Sequence, residues 1–367
     1  MMNSIKNRIV QSHWIWCLLL MFCVSFAAQA EETEYKEVDV KGLVFEHIND
    51  AYSWHITTIN GEPIAIPLLV IVKGQNGWDV FSASKFGHEG EETYKTYSIC
   101  HDGSNNDGKV VENINGENVR PWDFSITKNV FSLFMISGIL LWVFLTVAKR
   151  YKKNEDGSPV TPSGMQAYLE PLIVTIDEDV TKACIGKNYK KFSSYILTAF
   201  FFIFLTNLIG IIPIFPGGAN ITGNIAITFV LAIMTFVLTN FTGTKTYWKD
   251  IFWPDVPTWL KVPIPIMPFI EIIGIFTKPI ALMIRLFANM LSGHIMQLIL
   301  VGLIFILTVK ISPIAGGCVS IVSIALAVFM DLLEVLVSLI QAYVFATLSA
   351  LFIGLAQEEE EEESTKA

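Results

Sequence analysis

The sequence predicts an all-α integral membrane protein preceded by a small exported domain with β content. Three observations predict it. Apolar residues make up 52% of the chain and charged residues only 16%, a balance that an ordinary soluble enzyme does not show. Apolar segments long enough to span a bilayer recur at about 128–148, 193–213, 225–242, 266–309 and 313–356, and a lipid-exposed backbone that must satisfy its own hydrogen bonds makes each of them helical. Ahead of them, a polar stretch from Glu31 to about Ser125 carries short apolar runs such as Ile64 to Lys73, separated by turn signals at Asn60-Gly61, Gly74 and Asn76-Gly77.

Residues 1–30 read as a secretory signal. Lys6 and Arg8 precede an apolar stretch from Trp14 to Phe26, and Ala28-Gln29-Ala30 supplies a small-residue cleavage site before Glu31-Glu32. An uncleaved first anchor is the alternative, and the apolar core is short for that purpose. Either way the segment 31–125 is delivered outside the cytoplasm. It holds His47, His55, His88 and His101, but their spacing matches no zinc pattern, so they read as surface or packing residues. Cys100, Cys184 and Cys318 are scattered without metal or redox spacing and read as small buried hydrophobes. No metal and no cofactor is expected.

The formal net charge of −9 is concentrated in one run, Glu358 to Glu363. Without that run the body is near neutral, and nothing basic enough to bind nucleic acid remains. Lysines set the topology. Lys149, Arg150, Lys152 and Lys153, with Lys182, Lys187, Lys190 and Lys191, make the loop after the first span cytoplasmic, whereas Phe215 to Asn224 carries no charge and faces outward. Lys245, Lys249 and Lys261 turn the next loop inward, and the acidic tail at 358–367 ends in the cytoplasm. The membrane domain thus runs over 126–357. Between the first two basic clusters, Tyr168, Leu169, Leu172, Ile173, Ile176 and Val180 recur at helical spacing around Pro171. That pattern suits a kinked helix lying in the interface or packing on a partner.

The last two apolar segments are too long for simple spans. A helix of some 44 residues measures roughly 66 Å, against a hydrocarbon core of about 30 Å. Each is a tight hairpin or one steeply tilted helix, and the lack of clustered turn residues between Phe269 and Leu307 favours the second. The first of the pair carries Arg285. Of Arg8, Arg120, Arg150 and Arg285, it alone lies within an apolar span, where insertion costs about 2.5 to 3.5 kcal/mol. At about 100° per residue, Glu271, Lys278, Arg285, Asn289 and Ser292 form one polar stripe, with His294 on the opposite face. On the second helix Glu334, Ser338, Gln341 and Phe345 share a face, with Asp331 nearby. Ser338 and Gln341 suit either an ordered file of water or plain hydrogen bonds between helices. Lys278 and Asp331 suit positions facing bulk water.

The run Lys278-Pro-Ile-Ala-Leu-Met-Ile-Arg285-Leu-Phe-Ala-Asn289-Met-Leu-Ser-Gly293-His294 resembles subunit a of F-type ATP synthases. Supporting matches are Phe204-Leu-Thr-Asn207-Leu-Ile-Gly-Ile-Ile-Pro213, Pro268 with Glu271, and Leu339-Ile-Gln341-Ala-Tyr-Val-Phe345, and the resemblance covers about 160–356. It implies a proton-translocating stator subunit that forms two half-channels against a rotating c ring. The subunit would not be catalytic by itself. Its implied partners are the c ring, b-type peripheral stalk subunits and the soluble ATPase sector, within the lipid of a bacterial inner membrane. Arg285 would face each ring carboxylate, held by Asn289 and Gln341. His294 and Glu334 would line the outer access path, with Asn207, Asn224, Ser292 and Ser338 as further linings, and Glu271 would belong to the cytoplasmic exit. Two departures stand out: the acid and the histidine at 294 and 334 are exchanged relative to some relatives, and Gly210 and Asn224 stand where relatives can have carboxylates.

Other classes fit less well. A stand-alone transporter or channel would show inverted repeats with broken helices, and an intramembrane hydrolase would need His-Glu-x-x-His or Gly-x-Ser-x-Gly. A phosphate-binding loop is also missing, so ATP chemistry must occur on another subunit.

Overall fold

The computed structural model describes residues 50–59, 62–87, 92–100, 106, 108–114, 116–152, 164–212, 217–253, 266–310 and 313–357. The signal peptide, the loop at 153–163 and the acidic tail lie outside them. The described chain forms two compact units. One comprises residues 293–333, and the other comprises the residues up to Ser292 together with those from Glu334 onward.

The β-containing segment consists of short antiparallel pieces. Strands β1 (Ser53–Ile59) and β2 (Glu62–Pro67) form a hairpin. Strand β3 (Leu69–Gly74) lies between β4 (Gly77–Ser82) and the two-residue β8 (Trp122–Asp123), while β6 (Val110–Ile114) lies between β5 (Tyr97–Ile99) and β7 (Glu117–Val119). Their buried faces make one aromatic core, in which Phe81 stacks on Tyr97 and meets Phe86 edge-on, around Val70, Val72 and Val110. Two polar contacts lock this core. Tyr52 Oη donates to Asp123 and accepts from the Val110 amide at 3.3 Å. Gly74 is required because a Cβ there would lie 2.6 Å from Glu112 Oε2 and collide with Tyr97 Oη.

Helix α1 (Lys128–Lys152) follows directly and is fastened to the strands at its first turn. The Lys128 amide donates to Ala51 O at 2.9 Å, and the Asn129 amide donates to Asp50 Oδ1 at 3.0 Å. Trp54 joins Ile136, Ala219 and Ile221 in a second cluster, so the hairpin packs on α1 and on the loop after the next membrane helix.

Next come α2 (Met165–Val174), a π-helical stretch (Thr175–Lys182) and α3 (Tyr189–Ile211). Part of this region joins the main core, while Tyr168 remains 81% exposed. Ile176 and Val180 are buried with Phe192, Ile196, Phe200 and Ile353. The π register has a visible support, since the Thr181 hydroxyl donates to the carbonyl of Ile176 five residues back, at 2.9 Å. Helix α4 (Ile225–Phe241) is capped by Asn224 and α5 (Lys245–Phe252) by Thr244, with a bend of 101° between them.

Helices α6 (Ile266–Lys310) and α7 (Pro313–Gln357) are each continuous over 45 residues, which disposes of the hairpin alternative. Each is about 68 Å long, so a membrane of ordinary thickness holds it only at a steep angle. Among the described residues, four helical stretches are long and apolar enough to cross a membrane, and α4 with α5 makes a fifth candidate. Both 45-residue helices contribute to the core: Leu282 and Leu286 of α6 belong to the same cluster as Ala342, Phe345, Ala346 and Ala350 of α7. Small residues four apart let backbones approach closely. Closest of all is Gly354, where a Cβ would lie 2.9 Å from the Cys184 carbonyl carbon and collide with its oxygen. The end of α7 is tied down too, for the Thr244 amide donates to Ala356 O at 2.9 Å and Gln357 Nε2 donates to Thr242 O.

Gly354→Ala therefore forces two backbones apart and should lower stability by about 1–3 kcal/mol, read as an earlier thermal transition in detergent. Asp50 gives a second test. Burial holds its carboxyl above the usual carboxylate range, against the opposing hydrogen bond from Asn129. A raised carboxyl favours the fold when protonated, so its contribution is lost as pH rises through the folded value and stays constant above it. Asp50→Asn keeps the acceptor for Asn129 without the buried charge. The variant's thermal advantage over the parent should be absent in acid and open to a plateau towards neutral pH.

Candidate functional site

The site is built on the unpacked face of α6. Leu282, Leu286 and Met290, spaced four apart, are buried, which turns the residues between them outward. Arg285, Asn289 and Ser292 are all exposed, while Glu271 and Lys278, earlier on the same stripe, are half-buried. Among the described residues Arg285 makes no hydrogen bond or ion pair. The Ser292 hydroxyl donates to the carbonyl of Asn289 at 3.0 Å within the helix. Asn289 and Gln341, expected to hold Arg285, form no hydrogen bond with it among the described residues.

Helix α7 turns its polar residues inward. Glu334, Ser338 and Gln341 are buried. Ser338 donates to the carbonyl of Glu334 at 2.7 Å, so its hydroxyl is satisfied within its own helix and does not bridge to another. In the other unit, half-buried His294 lies on α6, and Gln297 Nε2 donates to Asp331 Oδ1 of α7 at 2.7 Å. Lys278 does not simply extend into water: its ammonium lies 5.6 Å from the centre of the Phe352 ring.

Two further polar groups lie beside these helices. Asn207 of α3 is buried, and its Oδ1 accepts from the Thr222 hydroxyl at 2.5 Å, while its Nδ2 has no partner. Asn220 is arranged alike, with Oδ1 accepting from the Gly223 amide at 2.8 Å and a buried, unpartnered Nδ2. Buried donors of this kind are the positions that ordered water satisfies. Asn224 caps α4 through the Ala226 amide at 3.0 Å, which ties its acceptor to structure. The sequence reading picked out Asn207 and Asn224 but passed over Asn220 and Thr222, although the loop Gly217-Gly-Ala-Asn220-Ile-Thr222-Gly-Asn224 is rich in small polar residues and free of charge.

The second group follows the other flank of α4. Tyr195 Oη and Thr235 Oγ1 are 2.6 Å apart, and Thr235 lies 3.3 Å from Ser349 Oγ, so hydroxyls link α3, α4 and α7. Beyond Thr235 is a cavity of about 20 Å³, lined by Thr239, Asn240, Tyr247, Lys278, Leu282 and Phe352 among others. A water fits there, and the buried Thr239 hydroxyl lacks a partner. Tyr247 donates to Asn240 Oδ1 at 3.3 Å across the bend between α4 and α5. Among the described residues no group of acids, histidines and cysteines could hold a metal ion.

These features define a polytopic helical membrane protein with an exposed arginine on an open helix face and buried polar side chains on neighbouring helices. Comparison with known proteins gives the family. A family model described as ATP synthase A chain matches residues 130–354. ATP synthase subunit a of Chlorobium phaeobacteroides is 44% identical over 246 residues, 65% of this chain and 67% of its own length. That of Pelodictyon phaeoclathratiforme is 42% identical over 250 residues, covering 67% and 69%, and that of Myxococcus xanthus 39% identical over 241 residues, covering 64% and 73%. The chain belongs to the ATP synthase subunit a family. It is thus a membrane component of an ATP synthase, concerned with proton transport and ATP synthesis. Residues 43–124 match a separate model, described as a domain of unknown function.

Thr222→Val removes the single hydrogen bond recorded for the Asn207 side chain and leaves a buried amide unsatisfied. Stability should fall by about 1–3 kcal/mol, measured as a lower midpoint of thermal unfolding in detergent, with Thr222→Ser largely restoring it.

Proposed function

We propose that this chain is the proton-translocating stator subunit of an F-type ATP synthase, and that the open face of α6 runs along a ring of c subunits. The observation that carries the proposal is Arg285: a guanidinium in the middle of an apolar helix, turned away from the protein's own core. Left in lipid it is expensive. Opposite a partner's carboxylate it is attracted strongly in a low dielectric.

Arginine suits this task because it stays charged at every physiological pH and cannot relay the proton itself. It would favour the ionised carboxylate as each ring subunit passes and block direct leakage between two offset half-channels. Protons would reach the ring by an outer path lined by Asn207 and its neighbours, with His294 and Glu334 as titratable groups. They would leave on the side of Glu271, where the hydroxyl-lined cavity beside Tyr247 and Lys278 supports a hydrated route. Ser292 lies on the ring-facing stripe, while Asn289 and Gln341 would order water near Arg285. The segment 31–125 would be periplasmic after removal of residues 1–30, and the tail at 358–367 cytoplasmic. The c ring, b-type stalk subunits and a soluble ATPase sector would complete the complex, in the bacterial inner membrane.

Inverted membrane vesicles test this directly. Arg285→Ala should abolish ATP-driven acidification while the complex still assembles, as judged by co-purification of the ring and the soluble sector. Unchanged pumping with intact assembly would show that Arg285 takes no part in proton transfer and would sink the proposal.

A further inference from the structure

The sheet formed by β4, β3 and β8 has two unlike faces. Side chains alternate across a strand, and in this register Val72 lies opposite Asp79 and Asp123, while Lys73 lies opposite Trp78 and Trp122. The first set faces the aromatic core. Both of its acids are engaged there, Asp79 by Lys95 and by Tyr97 Oη at 3.1 Å, and Asp123 by Tyr52. The opposite face carries Leu69, Val80, Trp78, Trp122 and Phe124. Trp78 is 59% exposed, Trp122 74% and Phe124 56%. Trp78 and Phe124 lie 5.5 Å apart, and the Lys73 ammonium sits 5.7 Å from the Trp78 ring. A contiguous patch of this kind marks a contact surface.

Its position identifies the occupant. Phe124 precedes the first residue of α1 by four residues, at most about 14 Å of extended chain. The join is stiff, because Phe124 and Ile126 donate to Ile71 O and Leu69 O, both at 2.9 Å, and Trp54 meets Phe131 of α1 edge-on. Along α1 the exposed apolar surface continues through Phe131, Phe134, Leu141 and Trp142, the side chains of a helix that spans lipid. The aromatic sheet face is therefore continuous with a lipid-facing surface. Tryptophan rings beside a lysine at the end of a membrane helix are the chemistry of the headgroup boundary, where rings lie at the interface and the ammonium reaches phosphate.

We infer that this sheet face rests on the bilayer at the N-terminal end of α1, with Trp78, Trp122 and Phe124 in the boundary between headgroups and acyl chains and Lys73 on lipid phosphate. The inference depends on α1 crossing the membrane and not on the half-channel reading. It gives the β-containing segment a role as an interfacial foot that fixes the angle at which α1 enters the bilayer.

The test is tryptophan quenching in the full-length protein, reconstituted into phosphatidylcholine vesicles with bromine high on the acyl chain. The parent is compared with W78F+W122F, so that the other tryptophans cancel in the difference. Both positions are exposed and Phe is conservative, and an unchanged far-UV spectrum of the variant checks the fold. The difference signal should lose most of its intensity to bromolipid and little to aqueous iodide. Quenching by iodide instead places the face in water and overturns the inference. Quenching by neither means that protein covers it, a partner subunit or a second copy, and overturns it equally.

Discussion

One constraint organises the molecule: a charge that cannot be neutralised by losing a proton has been put into an apolar helix. Arg285 is tolerable in a bilayer only if something polar faces it. The chain could have met that need internally, by packing Glu271, Glu334 or another carboxylate against the guanidinium. It does not. The face bearing Arg285 and Asn289 is left open, while α6 buries Leu282, Leu286 and Met290 on its other side. An internal ion pair would have been a structural device; an open cation suits the proposed reading, in which a partner supplies the opposite charge.

Keeping one face of α6 open places the burden of packing on the other. Hydrophobic burial does little between helices in lipid, so close backbone approach and satisfied hydrogen bonds must hold them. The structure uses both. Ala342, Ala346, Ala350 and Gly354 make α7 narrow on the side that meets the core, and the buried hydroxyls of Thr206, Thr228, Thr235 and Ser338 donate back to carbonyls of their own helices. Among the described residues, buried polar atoms without such partners include Nδ2 of Asn207 and of Asn220, the hydroxyls of Thr239 and Ser132, and Oε2 of Glu170. Buried groups left in this way are positions that ordered water can satisfy, and Asn207, Asn220 and Thr239 carry three of them. That is why they bear on the two proposed proton routes.

The helices were legible in the sequence because lipid leaves the backbone no alternative. The segment expected at 225–242 is observed as Ile225–Phe241, and the one expected at 313–356 as Pro313–Gln357. The stripe through Arg285 follows from helical period alone; its Arg285, Asn289 and Ser292 are observed exposed, and Glu271 and Lys278 half-buried. What escaped was contact-dependent. Nothing in the composition of 165–188 says that a π-helical turn will bury Ile176 and Val180 against α3, because that register is stabilised by Thr181 and by tertiary packing. The bond between Gln297 and Asp331 joins residues 34 positions apart, and periodicity within one helix carries no information about its neighbour. Asn220 and Thr222 were missed for a related reason: a short polar loop looks solvated until a helix carrying Asn207 is placed against it.

The β-containing segment is attached in a way that a loose accessory domain would not need. Residues 124–129 donate three backbone bonds, to the carbonyls of Ile71, Leu69 and Ala51, and a fourth to the side chain of Asp50, and Trp54 is packed among residues of α1 and of the loop before α4. A flexible tether would let the segment move without consequence for the helices. This join transmits any displacement of the sheet to the first turn of α1, and through Ala219 and Ile221 to the loop that carries Asn220 and Thr222. The polar cluster around Asn207 is thus braced from the side of the strands. On the proposed reading, in which Arg285 faces a moving ring, such bracing is useful, since small shifts of charge in a low dielectric carry large energies. The strands and the site are far apart in sequence, yet the stiffness of one bears on the geometry of the other.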